Sequence, residues 1–528
     1  MTDTNDHDAV ILGGGLAGLT LALQLKRQYA DMDILVLERN RHPLPAAAHK
    51  VGESTVEIGA HYLADTLGLA DHIEQAHLRK FGLRYFFSHG CDRIEDAVEL
   101  GVTRHLPLPS YQLDRGVLEN HLGEEAVRRG IDFRDGCKVR RCEIGKDGAM
   151  HRVEFDDGQS TRSVSCRWLL DTSGRSALLK RQLGLAKDNA HAAHAAWFRL
   201  DGHIKIDDFV DDPAWRQQCS PPQRWLSTNH LMGPGYWVWL IPLGSGAHSI
   251  GIVADSSMHS LDELRDFDGA MKWLERNQPL LARRIAPLAD KLMDYRYLRN
   301  YSHSATQVFS ADRWAISGEA GVFLDPFYSP GSDFIAIANH YITALVGLDR
   351  EGQPIGPWVG IFQDLFLSFF RNTLSLYQGQ YPMFGNARVM AQKITWDYSY
   401  YWGILCVLVF QNRLGDIALL GDVQALLQGA NALNARMQAL FLRWHEACAA
   451  ADTGQAGLFD QGSLDWFVEI NRQMTEILDD ASVRERIADH VQLLHGLADA
   501  ITAQASTADP SLAHEASGAP QPELLDVG

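Results

Sequence analysis

Gly13, Gly15 and Gly18 stand in G-x-G-x-x-G spacing directly after the apolar run Ala9–Leu12, and Glu38 closes the next apolar run, Asp33-Ile34-Leu35-Val36-Leu37. Residues of these types in this order can hold a dinucleotide. Gly13 makes a tight turn after a strand, Gly15 lets backbone approach a pyrophosphate, and Gly18 lets a helix pack on the strand. The helix that starts at Leu16 and Ala17 presents unpaired N–H groups and a positive dipole end to phosphate. Glu38, with Arg39 beside it, can accept the hydroxyls of an adenosine ribose. His191 and His194 form an HxxH pair, but no carboxylate or cysteine accompanies them. They are expected on a strand, with metal: none. No Ser-His-Asp pattern stands out.

The elements that must position these residues follow from pattern. A strand, the glycine turn, a helix and a second strand fill residues 8–38. After Pro43 and Pro45, Lys50-Val51-Gly52-Glu53-Ser54-Thr55 lead into a helix near Ile58–Leu67. A second short helix, Ala70–Leu78, ends at Lys80-Phe81-Gly82. Residues 111–130 predict another helix, opened by Gln112-Leu113-Asp114-Arg115, with Leu118, Leu122 and Ala126 on one face. Three strand-like runs, Val139–Ile144, His151–Phe155 and Val164–Leu170, are separated by Lys146-Asp147-Gly148 and Asp156-Asp157-Gly158. Residues 192–253 are strand-rich and include Tyr236–Pro242 and His248–Val253. Residues 312–348 return to strand, loop and helix. From 351 to 503 the pattern is helical: Trp358, Ile361, Phe362, Leu365, Phe366, Phe369 and Phe370 keep the spacing of one buried face. Residues 504–528 lack apolar periodicity and read as a disordered tail.

Composition narrows the function classes. The chain has 528 residues, enough for several domains, and 46% of them are apolar. Its 66 acidic against 48 basic side chains give a net charge of −18, the opposite of a nucleic-acid-binding face. The seven cysteines (Cys91, Cys137, Cys142, Cys166, Cys219, Cys406 and Cys448) include no CxxC pair and read as reduced thiols of a cytoplasmic protein. The polar, acidic run Met1–Asp6 is unlike a secretory signal. The most apolar stretch, Tyr400–Phe410, is shorter than the ~20 residues that span a bilayer, so no transmembrane segment is expected.

Two later motifs specify the nucleotide. Asp171-Thr172-Ser173-Gly174-Arg175, after the three strand-like runs, resembles the second FAD fingerprint of para-hydroxybenzoate-hydroxylase-type flavoproteins. Gly318-Glu319-Ala320-Gly321 is similar to the third, where an acid grips ribityl or ribose hydroxyls. The acid there is commonly Asp, and Glu319 is longer. The resemblance implies FAD, with Arg115 near the cofactor.

Trp237-Val238-Trp239-Leu240-Ile241-Pro242 resembles the WxWxIP signature of the flavin-dependent halogenases. Lys80-Phe81-Gly82, Val51-Gly52-Glu53-Ser54 and Asp325-Pro326-Phe327-Tyr328-Ser329-Pro330-Gly331 are similar to further motifs of that family, over residues 8–345. The resemblance implies catalytic roles for Lys80, Trp237, Trp239 and Tyr328, and contacts to the cofactor by Glu53 and Ser54. It implies that reduced flavin (FADH2) and O2 give a hydroperoxide that oxidises bromide or chloride. Bulky Trp237 and Trp239 would keep an organic substrate away, and hypohalous acid would pass to the Lys80 ammonium, which polarises halogen toward an aromatic carbon. Where tryptophan-type halogenases carry a catalytic Glu, this chain has Tyr328, which points to an electron-rich phenol or pyrrole, free or carrier-tethered. The family holds halide partly by backbone N–H groups just before and at the loop glycine. Pro330 has none, leaving Gly331 and Ser332.

The fold expected is α/β: a Rossmann-like FAD-binding fold (1–190 and 301–350, including the lysine-bearing segment 50–110), an inserted β-rich substrate domain (191–300), a helical C-terminal region (351–503) and the tail 504–528. No second nucleotide fingerprint is visible, so a separate NAD(P)H flavin reductase is the expected partner. An FAD-dependent aromatic monooxygenase and a flavoprotein maturation factor that modifies a partner protein are the alternatives.

Overall fold

The computed structural model describes residues 6–46, 52–448, 454–513 and 517–527; Lys50 and Val51 of the loop before Gly52 lie outside these residues. The chain divides into two compact units. The first comprises Met1–His77, Leu113–Ala190 and Ser302–Arg371, the second Leu78–Gln112, His191–Tyr301 and Asn372–Gly528.

The first unit is built on a sheet in the order Asp132–Arg134, Ile34–Leu37, Asp6–Leu12, Thr161–Asp171, His151–Asp156 and Lys138–Glu143, with Trp314–Ile316 also pairing with Thr161–Asp171. Strands Asp6–Leu12 and Ile34–Leu37 are parallel, and their apolar runs are buried throughout, as expected of strands covered on both faces. Leu12 is in register with Asp171, and Asp171 with Ile316, all in parallel pairs. Three fingerprint turns therefore leave the sheet at one edge, at the carboxyl ends of neighbouring strands, where open α/β sheets bind ligands.

Helices Leu16–Gln28, Arg115–Arg128 and Gly331–Arg350 cover this sheet. The predicted helix near Ile58–Leu67 is a short α-helix, Glu57–His61, that widens into a π-helix, Tyr62–Thr66. That turn carries Tyr62, whose hydroxyl donates to Gln24 Oε1 at 2.8 Å and accepts from Asn339 Nδ2 at 3.0 Å. The unit extends past the expected boundary at 350, because helix Gly356–Leu374 lays Phe362 on Tyr341 (ring centroids 4.8 Å apart) and Phe366 on Phe309 (5.8 Å).

The second unit holds an eight-stranded sheet in the order Leu292–Leu298, Ala193–Asp201, Ala247–Asp255, Tyr236–Pro242, Thr228–Gly233, Leu83–Phe87, Val98–Gly101 and Gly457–Asp460. Side chains alternate along Tyr236–Pro242. Tyr236, Val238 and Leu240 join a core with Phe198, Ile250, Trp273 and Leu274, packed under helices Phe267–Asn277 and Pro279–Ile285.

Three expectations are corrected. The lysine-bearing segment belongs from Leu78 onward to the β-rich unit, not the FAD-binding one, because Leu83–Phe87 pairs in parallel with Thr228–Gly233 and Val98–Gly101 pairs with Leu83–Phe87. The helical C-terminal region contains a strand, Gly457–Asp460, which closes one edge of the same sheet. The described residues 504–513 and 517–527 are not a disordered tail. Helix Asp480–Ala508 runs into them, Gln392 Nε2 donates to the Leu525 carbonyl at 2.7 Å, Trp466 Nε1 to that of Glu523 at 2.8 Å, and Val527 is buried. Backbone carbonyls that periodicity ignores provide the anchorage.

Candidate active site

In the first unit the three fingerprints converge. Gly13 lies at φ +113°, in a region open to glycine. A Cβ on it would lie 2.6 Å from the Thr172 carbonyl oxygen, and one on Gly18 would overlap the Gly13 carbonyl and lie 2.6 Å from Thr172 Oγ1. The Thr172 hydroxyl spans the two turns, 3.1 Å from the Leu12 carbonyl and 2.9 Å from that of Gly13. Gly318, at φ +65°, brings the third fingerprint against Ala17: a Cβ there would lie 2.9 Å from the Ala17 Cβ. No sequence signal marks the role of Thr172, since its hydroxyl bonds to carbonyls about 160 residues away.

Gly15 caps helix Leu16–Gln28 without any side-chain hydrogen bond, so the first-turn N–H groups, including those after Leu16 and Ala17, remain for a phosphate. Glu38 is buried; its Oε2 accepts the Gly14 N–H at 2.7 Å and its Oε1 the Asn40 N–H at 2.8 Å. The acid is thus fixed by the glycine turn itself. An uncapped thirteen-residue helix behind a glycine turn, with a fixed carboxylate beside it, fits an FAD pyrophosphate and ribose. Arg39 is exposed, its guanidinium 3.4 Å from Ser176 Oγ. Glu319 is half-buried, with Arg175 3.7 Å away.

Asp171 is fully buried, and both its oxygens accept backbone N–H groups of its own turn, from Ser173 at 3.0 Å and Leu179 at 2.7 Å. It shapes the second fingerprint. Burial holds its carboxyl above the usual range against these bonds and the Lys180 charge. Lys180, which the sequence reading missed, donates to the Gly321 carbonyl at 2.9 Å and lies 2.9 Å from His303 Nδ1. Burial lowers its ammonium to about 8, opposed by the charges of Asp171 and Glu319.

Glu53 and Ser54 are buried, and the Glu53 carbonyl accepts the Leu113 N–H at 2.7 Å. Arg115, at the start of helix Arg115–Arg128, bonds the Gly52 carbonyl at 3.3 Å and Glu119 at 2.5 Å.

The Pro330–Gly331 loop leads straight into the twenty-residue helix Gly331–Arg350, which has no side-chain cap. The Pro330 carbonyl already accepts the Asp333 and Phe334 N–H groups at 3.1 Å each. Space is open beside Gly331, and the Ser332 hydroxyl is buried with no hydrogen-bond partner among the described residues. An orphaned donor next to a helix N-terminus fits an anion. Asp333, buried with its Oδ1 accepting the Gly59 N–H at 2.8 Å, places a carboxylate close by and weakens such a site. Tyr328 is half-buried with its ring 4.7 Å from that of Phe327.

Lys80, Trp237 and Trp239 lie in the second unit. Lys80 is 3% exposed. Its N–H donates to the Ser110 carbonyl at 2.7 Å, and the next N–H, of Phe81, to that of Leu226 at 3.1 Å. Trp237 and Trp239 are buried on the sheet face opposite the Tyr236–Leu240 core. Trp237 Nε1 donates to the Tyr381 hydroxyl at 3.1 Å, and Trp239 Nε1 to Ser249 Oγ at 3.1 Å. Tyr381 sits in a helical turn 144 residues from Trp237, and nothing in the sequence pattern paired them. His230 lies between Trp237 (5.0 Å) and Tyr85 (4.8 Å). His191 packs 5.6 Å from Tyr381, and His194 lies on strand Ala193–Asp201, where its Nδ1 accepts the Asn300 N–H at 3.4 Å.

Comparison with known proteins places this arrangement. The family model described as FAD binding domain matches residues 6–238. A flavin-dependent halogenase, chlA, from Dictyostelium discoideum is 28% identical over 433 residues, covering 76% of this chain and 70% of that protein. The 1H-pyrrole-2-carbonyl-[peptidyl-carrier protein] brominase of Pseudoalteromonas luteoviolacea is 24% identical, covering 63% and 75%. The solved structure of halogenase PltM in complex with phloroglucinol and FAD shares the fold, with a TM-score of 0.65 at 16% identity over 95% of this chain and 96% of that one. The chain is an FAD-dependent enzyme of the oxidoreductase type, related to the flavin-dependent halogenases.

Proposed function

We propose that this enzyme halogenates an electron-rich aromatic, a phenol or pyrrole, and that Lys80 delivers the halogen. FAD, reduced by a separate NAD(P)H reductase, supplies the activation of O2 that oxidises halide to hypohalous acid. The chain's own groups do the rest. Backbone N–H groups of Gly331 and Ser332, with the Ser332 hydroxyl, hold bromide or chloride. Hypohalous acid is small and diffusible, so halide oxidation and substrate halogenation can be carried by different residues.

At Lys80 the amine either hydrogen-bonds hypohalous acid through its ammonium or, as the free amine, exchanges a proton for halogen and releases water. Either form makes halogen electrophilic toward a ring carbon. Burial of Lys80 carries this reading: a lysine 3% exposed on a backbone fixed from both sides is held for a purpose other than solubility. Tyr328, half-buried where the tryptophan-type halogenases keep a Glu, supports a substrate that needs no extra carboxylate. A relative named for a pyrrole on a peptidyl-carrier protein supports a tethered pyrrole as one form of the substrate. Aromatic monooxygenation is the second reading, favoured by Pro330, whose nitrogen carries no hydrogen.

The test is incubation with FAD, a flavin reductase, NADH, bromide or chloride and a panel of phenols and pyrroles, read by mass spectrometry. A halogen isotope pattern supports halogenation. A gain of one oxygen without halogen transfers the function to monooxygenation.

A further inference from the structure

Beneath the Lys80-Phe81-Gly82 turn the second unit buries four charges. Arg84 and Arg224 both bond Glu99 Oε1, Arg224 at 2.8 Å, and all three side chains are at most 3% exposed. Asp207, 6% exposed, accepts the backbone N–H groups of Arg224 at 3.1 Å and Trp225 at 2.8 Å. Arg84 also donates to the Val102 carbonyl at 2.5 Å, and Arg224 to that of Trp215 at 2.7 Å. Burial pushes the Asp207 carboxyl up, against its backbone hydrogen bonds and the Arg224 and Arg84 charges. Buried ion clusters are costly, and replacing one by apolar residues is often neutral or stabilising. Stability alone does not account for four charges here.

The cluster is hydrogen-bonded to the lysine turn through the Ser227 hydroxyl. Arg84 Nε donates to Ser227 Oγ at 3.4 Å, and Ser227 Oγ donates to the Phe81 carbonyl at 2.9 Å. Ser227 is fully buried. Around it the Phe81 N–H is held by Leu226, and the Gly82 carbonyl accepts the Thr228 N–H at 3.1 Å. Gly82 lies at φ +72°, which glycine adopts without strain, and these bonds hold the backbone on both sides of it. The Arg84 guanidinium carbon also lies 5.5 Å from the Phe81 ring centroid.

We propose that Arg84, Glu99 and Arg224, acting through Ser227, are positioning residues that aim Lys80 at the substrate. The inference rests on the role assigned to Lys80 above. It concerns accuracy of delivery: a turn released at the Phe81 carbonyl leaves the amine in the protein but spread over more orientations, so that hypohalous acid escapes before it meets the ring.

The experiment uses the FAD-loaded enzyme with reductase, bromide, the best aromatic substrate and a small diffusible trap for hypobromous acid. The readout is the ratio of brominated substrate to brominated trap, beside the rate of flavin reoxidation and the melting temperature. Ser227→Ala is expected to lower the ratio about fivefold, the worth of one neutral hydrogen bond of ~1 kcal/mol, with flavin reoxidation within twofold of wild type. Ser227→Thr, which keeps the hydroxyl, is expected to restore most of the ratio. An unchanged ratio in Ser227→Ala overturns the proposal, as does an equal loss in the Ala and Thr variants, which would mark packing as the cause. If wild-type enzyme brominates neither substrate nor trap, the halogenase reading falls first and this inference with it.

Discussion

Gly13 and Thr172 touch where the first two fingerprints meet: the Thr172 hydroxyl lies 2.9 Å from the Gly13 carbonyl, and a Cβ on Gly13 would lie 2.6 Å from the Thr172 carbonyl oxygen. An added Cβ would meet only backbone atoms of Thr172 and Ser173, with no flexible side chain to give way. Gly13→Ala is therefore expected to abolish FAD binding while the β-rich unit still folds. Gly15→Val is expected to do the same by crowding the pyrophosphate. Flavin titration with circular dichroism checks both, and binding at wild-type affinity would show that the nucleotide lies elsewhere.

Lys80→Ala is expected to remove halogenated aromatic product, at least a hundredfold, while reduced flavin is reoxidised by O2 at nearly the wild-type rate. Stopped-flow absorbance and product mass spectrometry separate the two steps. Product retained in the variant would return Lys80 to the role of a buried structural lysine.

Halide affinity tests the Gly331 loop. Ser332→Ala removes the orphaned hydroxyl, and a hydrogen bond to a charged group is worth ~1.5–3 kcal/mol, so the bromide KM should rise by about ten- to a hundred-and-fifty-fold. Bromide should outcompete chloride in the wild type, because it loses its hydration shell more easily and Pro330 has removed a donor. Pro330→Thr should improve chloride use. A bromide KM that ignores Ser332→Ala would place the halide elsewhere.

Acid stability follows from two histidines. His77 Nδ1 accepts the Asp114 N–H at 3.1 Å, and His248 Nδ1 accepts the Ile204 N–H at 3.2 Å, so a proton on either nitrogen would face a donor. Burial, with the charges of His72 and His121 for His77 and of His203 for His248, pushes both down to about 3. Below pH 6.5 the unfolded chain takes up protons that the folded one refuses, so stability falls as pH falls from 6.5 toward 3. At ~1.4 kcal/mol per unit each group costs about 2 kcal/mol by pH 5. Denaturant melts at pH 7 and pH 5 should show this loss, and His248→Gln, whose amide oxygen can still accept the Ile204 N–H, should reduce it. An identical slope in that variant would remove His248 from the explanation.

The sequence by itself determined the first forty residues, because strand, glycine turn, helix and acid are local features set by periodicity and by residues that tolerate a tight turn. It also marked the later fingerprints and the Lys-Phe-Gly and Trp-x-Trp segments, whose residue types are unusual enough to be recognised. Only the tertiary structure decided which unit each segment joins. Strand Leu83–Phe87 precedes its partner Thr228–Gly233 by more than a hundred positions, yet joins the same sheet because a parallel strand finds its partner through backbone hydrogen bonds, which carry no side-chain pattern. The same holds for the final residues, anchored through their carbonyls, and for Ser227 and Tyr381. Serine and tyrosine are common, and their roles arise from the distant groups they meet: a carbonyl 146 residues away for Ser227, an indole 144 residues away for Tyr381.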